Sequence, residues 1–248
     1  MKALRLVCLS VGLVCAAAGA WAQTFDGPQQ WRLCAGDDAA ASIAACTRLI
    51  DSRELVDRNL ATVYYNRALA YIGTGDLDAA IRDLGEVITI DPHDATALFN
   101  RGNAYNVKGE FARALPDLDA SLAIDASRPQ RLMARGIARD RTGNHRGALD
   151  DFNRALVLDA AFSPLYNNRG NAYRNLGEFP RAVADFDKAI QLNPRYALAM
   201  DNRGVAWALQ GQWDRALQDF DRSIAINPDS PIVWEDRRSE EHTSELQS

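Results

Sequence analysis

Asparagine returns at Asn66, Asn100, Asn168 and Asn202 on a 34-residue grid broken once, by Ala134. Three residues further along the same grid stand Asn103 and Asn171. A side-chain amide carries both donors and acceptors, so it can pair with a peptide backbone whatever that peptide's sequence. Asparagine inside a helix is mildly unfavourable, so its repetition asks for a purpose. A row of amides along a groove would be one. Bonds between neighbouring helices, or plain exposure to water, would be others. Two further columns are ionic: Arg67, Arg101, Arg135, Arg169, Arg203 and Arg237, and Asp83, Asp117, Asp151, Asp185 and Asp219. They could form a basic stripe for an acidic ligand. One arginine and one aspartate per unit, without exception, favours instead a ladder of ion pairs between helices, which sets register more than net stability.

Other chemistry finds little footing. His93 and His145 precede a third histidine near the C-terminus, and they occupy different places on the grid. Once Cys34 and Cys46 are paired with each other, no zinc-like spacing remains. The glycines are isolated, not gathered into a phosphate-cradling loop. The expectation is a chain with no cofactor, no metal site and no catalytic residues. The formal net charge of −5, without a basic tract, argues against nucleic acid or an anionic membrane surface as partner.

The grid itself dictates the elements. Gly75, Gly109, Gly143, Gly177 and Gly211 are each 34 residues apart, the mark of a helix–turn–helix array. With units starting at Ala61, Ala95, Pro129, Ser163 and Ala197, the eighth position is small (Ala68, Gly102, Gly136, Gly170, Gly204). The twentieth is always alanine (Ala80, Ala114, Ala148, Ala182, Ala216), and the twenty-fourth is large and apolar (Leu84, Leu118, Phe152, Phe186, Phe220). Small residues on two successive helices let the backbones close up, and the large one plugs the space between them. Asp91-Pro92, Asn193-Pro194 and Asn227-Pro228 stop one helix before the next begins. Pro116, inside a second helix, should loosen or kink its early turns.

These columns, with an aromatic at the eleventh position in Tyr71, Tyr105, Tyr173 and Trp207, resemble the tetratricopeptide repeat family. Asn168-Arg169-Gly170-Asn171-Ala172-Tyr173 and Gly177-Glu178-Phe179 read like its consensus. The third unit diverges most, with Arg139 in the aromatic column and His145 where Leu77, Phe111, Phe179 and Trp213 stand. The resemblance implies an all-α, right-handed superhelical solenoid of stacked antiparallel helix hairpins. It also implies a concave groove lined by positions two, five, six, nine, twelve and thirteen of each first helix. Besides the asparagines, those positions supply Tyr65, Phe99, Asn106, Met133, Asp140, Arg141, Asn167, Arg174, Asn175 and Asp201. The expected peptide-binding set is Asn66, Asn100, Asn103, Asn168, Asn171 and Asn202, with Tyr65, Phe99, Met133 and Arg174.

The ends read differently. Lys2 and Arg5 precede an apolar stretch from Leu6 to Ala20, and Ala20-Trp21-Ala22 offers a cleavage site. Residues 1–22 therefore read as a signal peptide, and the mature chain as exported, periplasmic or secreted, with no membrane insertion. Running the grid back one unit puts Cys34 and Cys46 in the two close-contact columns. In an oxidising compartment that predicts a disulfide across an N-terminal cap over 23–60. Five repeats fill 61–230, and 231–237 begin a sixth. There position eight is Arg238 and the pattern stops. Residues 238–248, RSEEHTSELQS, read as the translation of a short-read sequencing adapter and are expected to be foreign to the fold. The expected function is a non-enzymatic scaffold holding an extended peptide or partner segment in its groove. Its competitors are a structural spacer of the cell envelope and the substrate arm of a longer protein.

Overall fold

In the computed structural model the described residues are 27–229 and 234–239. The expected leader over 1–22 and residues 240–248 of the stretch expected to be foreign lie outside them, whereas Arg238 and Ser239 of that stretch are described and helical. The described chain is all helix: α1 (Gly27–Cys34), α2 (Ala39–Asp51), α3 (Asp57–Thr74), α4 (Leu77–Ile90), α5 (Ala95–Val107), α6 (Phe111–Ile124), α7 (Pro129–Arg141), α8 (His145–Leu158), α9 (Ser163–Asn175), α10 (Phe179–Leu192), α11 (Ala197–Ala208) and α12 (Trp213–Ile226). Residues 234–239 add a further helical segment. Each helix packs on its predecessor, and the first helices of successive hairpins also meet, α5 with α7, α7 with α9 and α9 with α11. That chain of nearest-neighbour contacts is a solenoid.

The turn inside each hairpin explains the 34-residue glycine. Gly75, Gly109, Gly143, Gly177 and Gly211 have φ between +72° and +87°, the left-handed region where a Cβ is penalised. This conformation lets the next residue's N–H reach back to the carbonyl of the eleventh position, as from Asp76 to Tyr71 at 2.9 Å and from Glu178 to Tyr173 at 2.9 Å. The helix end is closed in the manner of a Schellman motif. Between hairpins the stop is an Asx turn: His93, Ser127, Ala161 and Arg195 donate their N–H to Asp91, Asp125, Asp159 and Asn193 at 2.9–3.1 Å.

Inside each hairpin the small and large columns interlock. Leu84, Leu118, Phe152, Phe186 and Phe220 are completely buried, as are the five alanines of the twentieth position. A Cβ added at Gly102, Gly136, Gly170 or Gly204 would lie 2.6–2.7 Å from the plug residue of the same hairpin. Glycine there is a steric requirement. Pro116 leaves α6 unbroken, with the same 14-residue length as α4, α8, α10 and α12. Its ring is exposed, so the clash and the missing donor fall on the solvent side of the helix.

At the N-terminal end of the described residues α1 and α2 form a short helical hairpin. Cys34 and Cys46 are disulfide-bonded, with Cα atoms 4.8 Å apart. They are buried with Ala45, Leu49 and Val63, and Trp31, Ile50 and Leu55 pack around them. The short α1 ends in the turn at residues 35–37, and Asp38 caps α2 through the N–H groups of Ala40 and Ala41. No helix among the described residues is long and apolar enough to cross a membrane.

Candidate functional site

The arginine and aspartate columns do not form a binding stripe. Arg67, Arg101, Arg135, Arg169 and Arg203 each grip the aspartate 16 residues on through Nε and Nη2, at 2.5–2.9 Å. This bidentate geometry suits a planar guanidinium and a carboxylate. The aspartate side chains are 1–9% exposed and the arginines 12–24%. The remaining Nη1 of four of them reaches back to the preceding hairpin: Arg67 to Thr47, Arg135 to Asp119, Arg169 to Asn153 and Arg203 to Asp187. The Asp83, Asp117, Asp151 and Asp185 hydrogen bonds hold Arg67, Arg101, Arg135 and Arg169 above the usual guanidinium pKa. The ladder is internal structure.

In the third hairpin Arg139 replaces the aromatic side chain, and its Nη1 shares Asp151 with Arg135 at 2.9 Å. A few residues away His145 Nδ1 meets Asp140 at 2.7 Å. The divergence has a physical reason: a guanidinium and an imidazole settle on carboxylates already in place.

The asparagine column divides. Asn100 Nδ2 donates to Tyr65 Oη at 3.0 Å, and Asn202 Nδ2 to Asn167 Oδ1 at 2.9 Å. In both, position six of one hairpin meets position five of the hairpin before. Thirty-five places before Asn168 the corresponding residue is Met133, which cannot receive such a bond well, and Asn168 is half-buried. Asn171 carries an Oδ1 that is buried without a hydrogen-bond partner. Asn103 is exposed and Asn66 half-buried.

A concave pocket of about 350 Å³ gathers Asn168, Asn171, Arg174 and Asn202 with Asp140 and Asn175, drawn from α7, α9 and α11. Asn175 Nδ2 donates to both oxygens of Asp140 at 3.0 and 3.2 Å. Among the described residues Arg174 has only a long 3.5 Å bond to Asn202 Oδ1, and burial lowers its pKa although Asp140, Asp201 and Asp236 oppose that. The pocket thus offers donors and acceptors that its own walls leave partly unused.

The N-terminal half of the expected groove is arranged otherwise. Phe99 and Met133 are partly buried and packed against the clusters around Leu118 and Phe152. Tyr65 lines a separate cavity of about 810 Å³ with Asp57, Thr62, Asp91 and Asp94; burial raises its pKa. The sequence pattern did not reveal that a position-six amide is committed or free according to the residue 35 places earlier. The signal was present: Tyr65 and Asn167 accept well, and the Met133 thioether accepts only weakly. Among the described residues no group of three or more His, Cys, Asp or Glu could hold a metal ion.

A solenoid of hairpins with closed inner turns, a small-against-large core and a concave first-helix face is a helical repeat protein. The tetratricopeptide repeat model matches residues 65–130 and 167–231, together more than half of the chain, and the chain belongs to that family. The stretch between the two matches contains Arg139 and His145. No curated protein matches the sequence. Among solved structures, MamA is 24% identical, covering 68% of this chain and 92% of its own, with a TM-score of 0.58. YrrB, a TPR protein with an unusual peptide-binding site, is 22% identical over 79% of this chain and 99% of its own, with a TM-score of 0.59. TTC0263, a thermophilic TPR protein of Thermus thermophilus, is 19% identical over 73% of this chain and 98% of its own, with a TM-score of 0.62. At these identities the likeness is one of fold.

Proposed function

We propose that this chain is a non-enzymatic interaction module that holds an extended peptide or partner segment in its concave face, centred on α9. The observation that carries the reading is the Asn168–Asn171 pair. Asn168 lacks the acceptor that Asn100 and Asn202 find across the junction, and Asn171 keeps a buried acceptor without a donor. An unpaired buried polar atom is costly, and a peptide N–H would satisfy it. YrrB, of the same fold, is a peptide-binding TPR protein, which agrees with the class of ligand. Asn66, Asn100, Asn103, Asn202, Tyr65, Phe99 and Met133 extend the face toward either end, and Arg174 adds a cation. The leader-like residues 1–22 and the Cys34–Cys46 bond support an exported protein working in an oxidising compartment. The mildly acidic charge supports a protein partner over a nucleic acid.

Panning a random peptide library on the purified chain tests this. Peptides that bind should lose affinity about 5- to 150-fold in the Asn168→Ala/Asn171→Ala variant, since two neutral amide bonds contribute about 1–3 kcal/mol together. Undiminished affinity in a normally folded variant would remove α9 from the site.

A further inference from the structure

Where hairpin α5–α6 meets hairpin α7–α8, the chain seats one of its own guanidinium groups. Arg131, the third residue of α7, is 3% exposed. Its Nη1 donates to the backbone oxygen of Asp125 at 3.0 Å and pairs with the Asp125 carboxylate, while Nη2 reaches Thr96 Oγ1 at 3.4 Å. An aspartate at position thirty-one and a threonine at position two thus hold an arginine head.

One junction earlier, between α3–α4 and α5–α6, the seat recurs without its cation. Thirty-four residues back, Asp91 stands for Asp125, Thr62 for Thr96, and Ala97 for Arg131. Ala97 is buried and too short to fill the place. Here lies the cavity of about 810 Å³, with Thr62, Asp91 and Thr96 in its walls. Asp57 and Asp94 bring two more carboxylates and Arg58 one guanidinium, so three negative charges stand against one positive. Asp91 accepts the N–H of His93, and Asp94 those of Thr96 and Ala97. Among the described residues no cation forms an ion pair with Asp57, Asp91 or Asp94, whereas Asp125 has both Arg128 and Arg131. Arg131 comes near through Thr96, but its charge is already met by Asp125.

The rest of the wall suits the same guest. Val87 and Ile90 offer an apolar surface against which an alkyl stem can lie. Tyr65 presents a ring, and a planar guanidinium stacks on an aromatic face while its fork donates to carboxylates. An ammonium group would answer the charge but use neither the ring nor the fork.

We propose that this cavity seats one arginine side chain of a partner segment, as the next junction seats Arg131. The proposal rests on the reading of the concave face as a peptide holder, to which Thr62, Tyr65 and Thr96 belong as positions two and five of their first helices. It adds a side-chain preference at a place distinct from α9.

Backbone NMR of the whole chain, titrated with N-acetylarginine amide, tests the seat directly. Saturable shifts are expected at Thr62, Asp91, Asp94 and Thr96. The citrulline analogue, equal in shape but neutral, should bind about tenfold more weakly or worse, and so should arginine to Asp91→Asn/Asp94→Asn. Those replacements spare the local fold: Asn193 makes the same turn as Asp91 at 3.1 Å, and asparagine caps helices as aspartate does. Free arginine, whose α-carboxylate adds a negative charge, should bind no more tightly than the capped form. The Asn168→Ala/Asn171→Ala variant should bind capped arginine as the wild type does, so this proposal and the α9 reading fail separately. The seat is overturned if no saturable shifts arise at these residues, if citrulline binds equally, or if the double asparagine variant keeps full affinity. Tighter binding of free arginine would make the guest a small metabolite and overturn the assignment to a partner chain.

Discussion

A single methyl group tests how closely the hairpins are shut. In Gly170→Ala the new Cβ would sit 2.7 Å from Phe186 Cε1, and that ring is fully buried. The ring must shift or the helices must part, at a cost of about 1–3 kcal/mol. Urea unfolding should show a lower midpoint with an unchanged slope. An unchanged midpoint would mean that the ring has room to move. This column was legible because both partners lie in one hairpin and their types never vary in kind. The ionic columns were legible for the same reason, once one arginine and one aspartate per unit had pointed to pairing. The asparagines were legible only by half. Their fate depends on the residue across the junction, so Asn202 is spent on Asn167 while Asn168, with Met133 at the corresponding place, is not.

At the level of the element, helix ends were the clearest part of the sequence, because glycine with positive φ and Asx turns have few substitutes. The start of α3 at Asp57, four residues ahead of the grid, was not legible; the helix extends into the connection from α2, where the grid leaves no mark. The loosening or kink expected at Pro116 does not interrupt α6, and the ring faces water. The cost of the missing hydrogen bond and the crowded carbonyl remains, however. Pro116→Ala should stabilise the protein by about 2 kcal/mol, the helix-interior penalty of proline less the loosening of the unfolded chain. Thermal or urea unfolding would register the gain, and a neutral or destabilising result would mean that α6 gains nothing there from a regular backbone.

Taken as a whole, the described chain is a row of units, each held by its nearest neighbours. At the N-terminal end the Cys34–Cys46 bond closes a loop short enough to contribute about 3 kcal/mol. Reduction should raise amide exchange in α1 and α2 on the order of a hundredfold, while α7 to α10 keep their protection. Equal loss along the whole array would show that the units unfold as one. The bonds described between hairpins join residues 16, 20, 28 or 35 apart. So small a separation keeps contact order low whatever the number of units, and low contact order means rapid folding. Each hairpin can settle once its predecessor has formed, without waiting for distant chain to arrive. On an emerging or translocating polypeptide, this molecule would assemble in the order in which its residues appear.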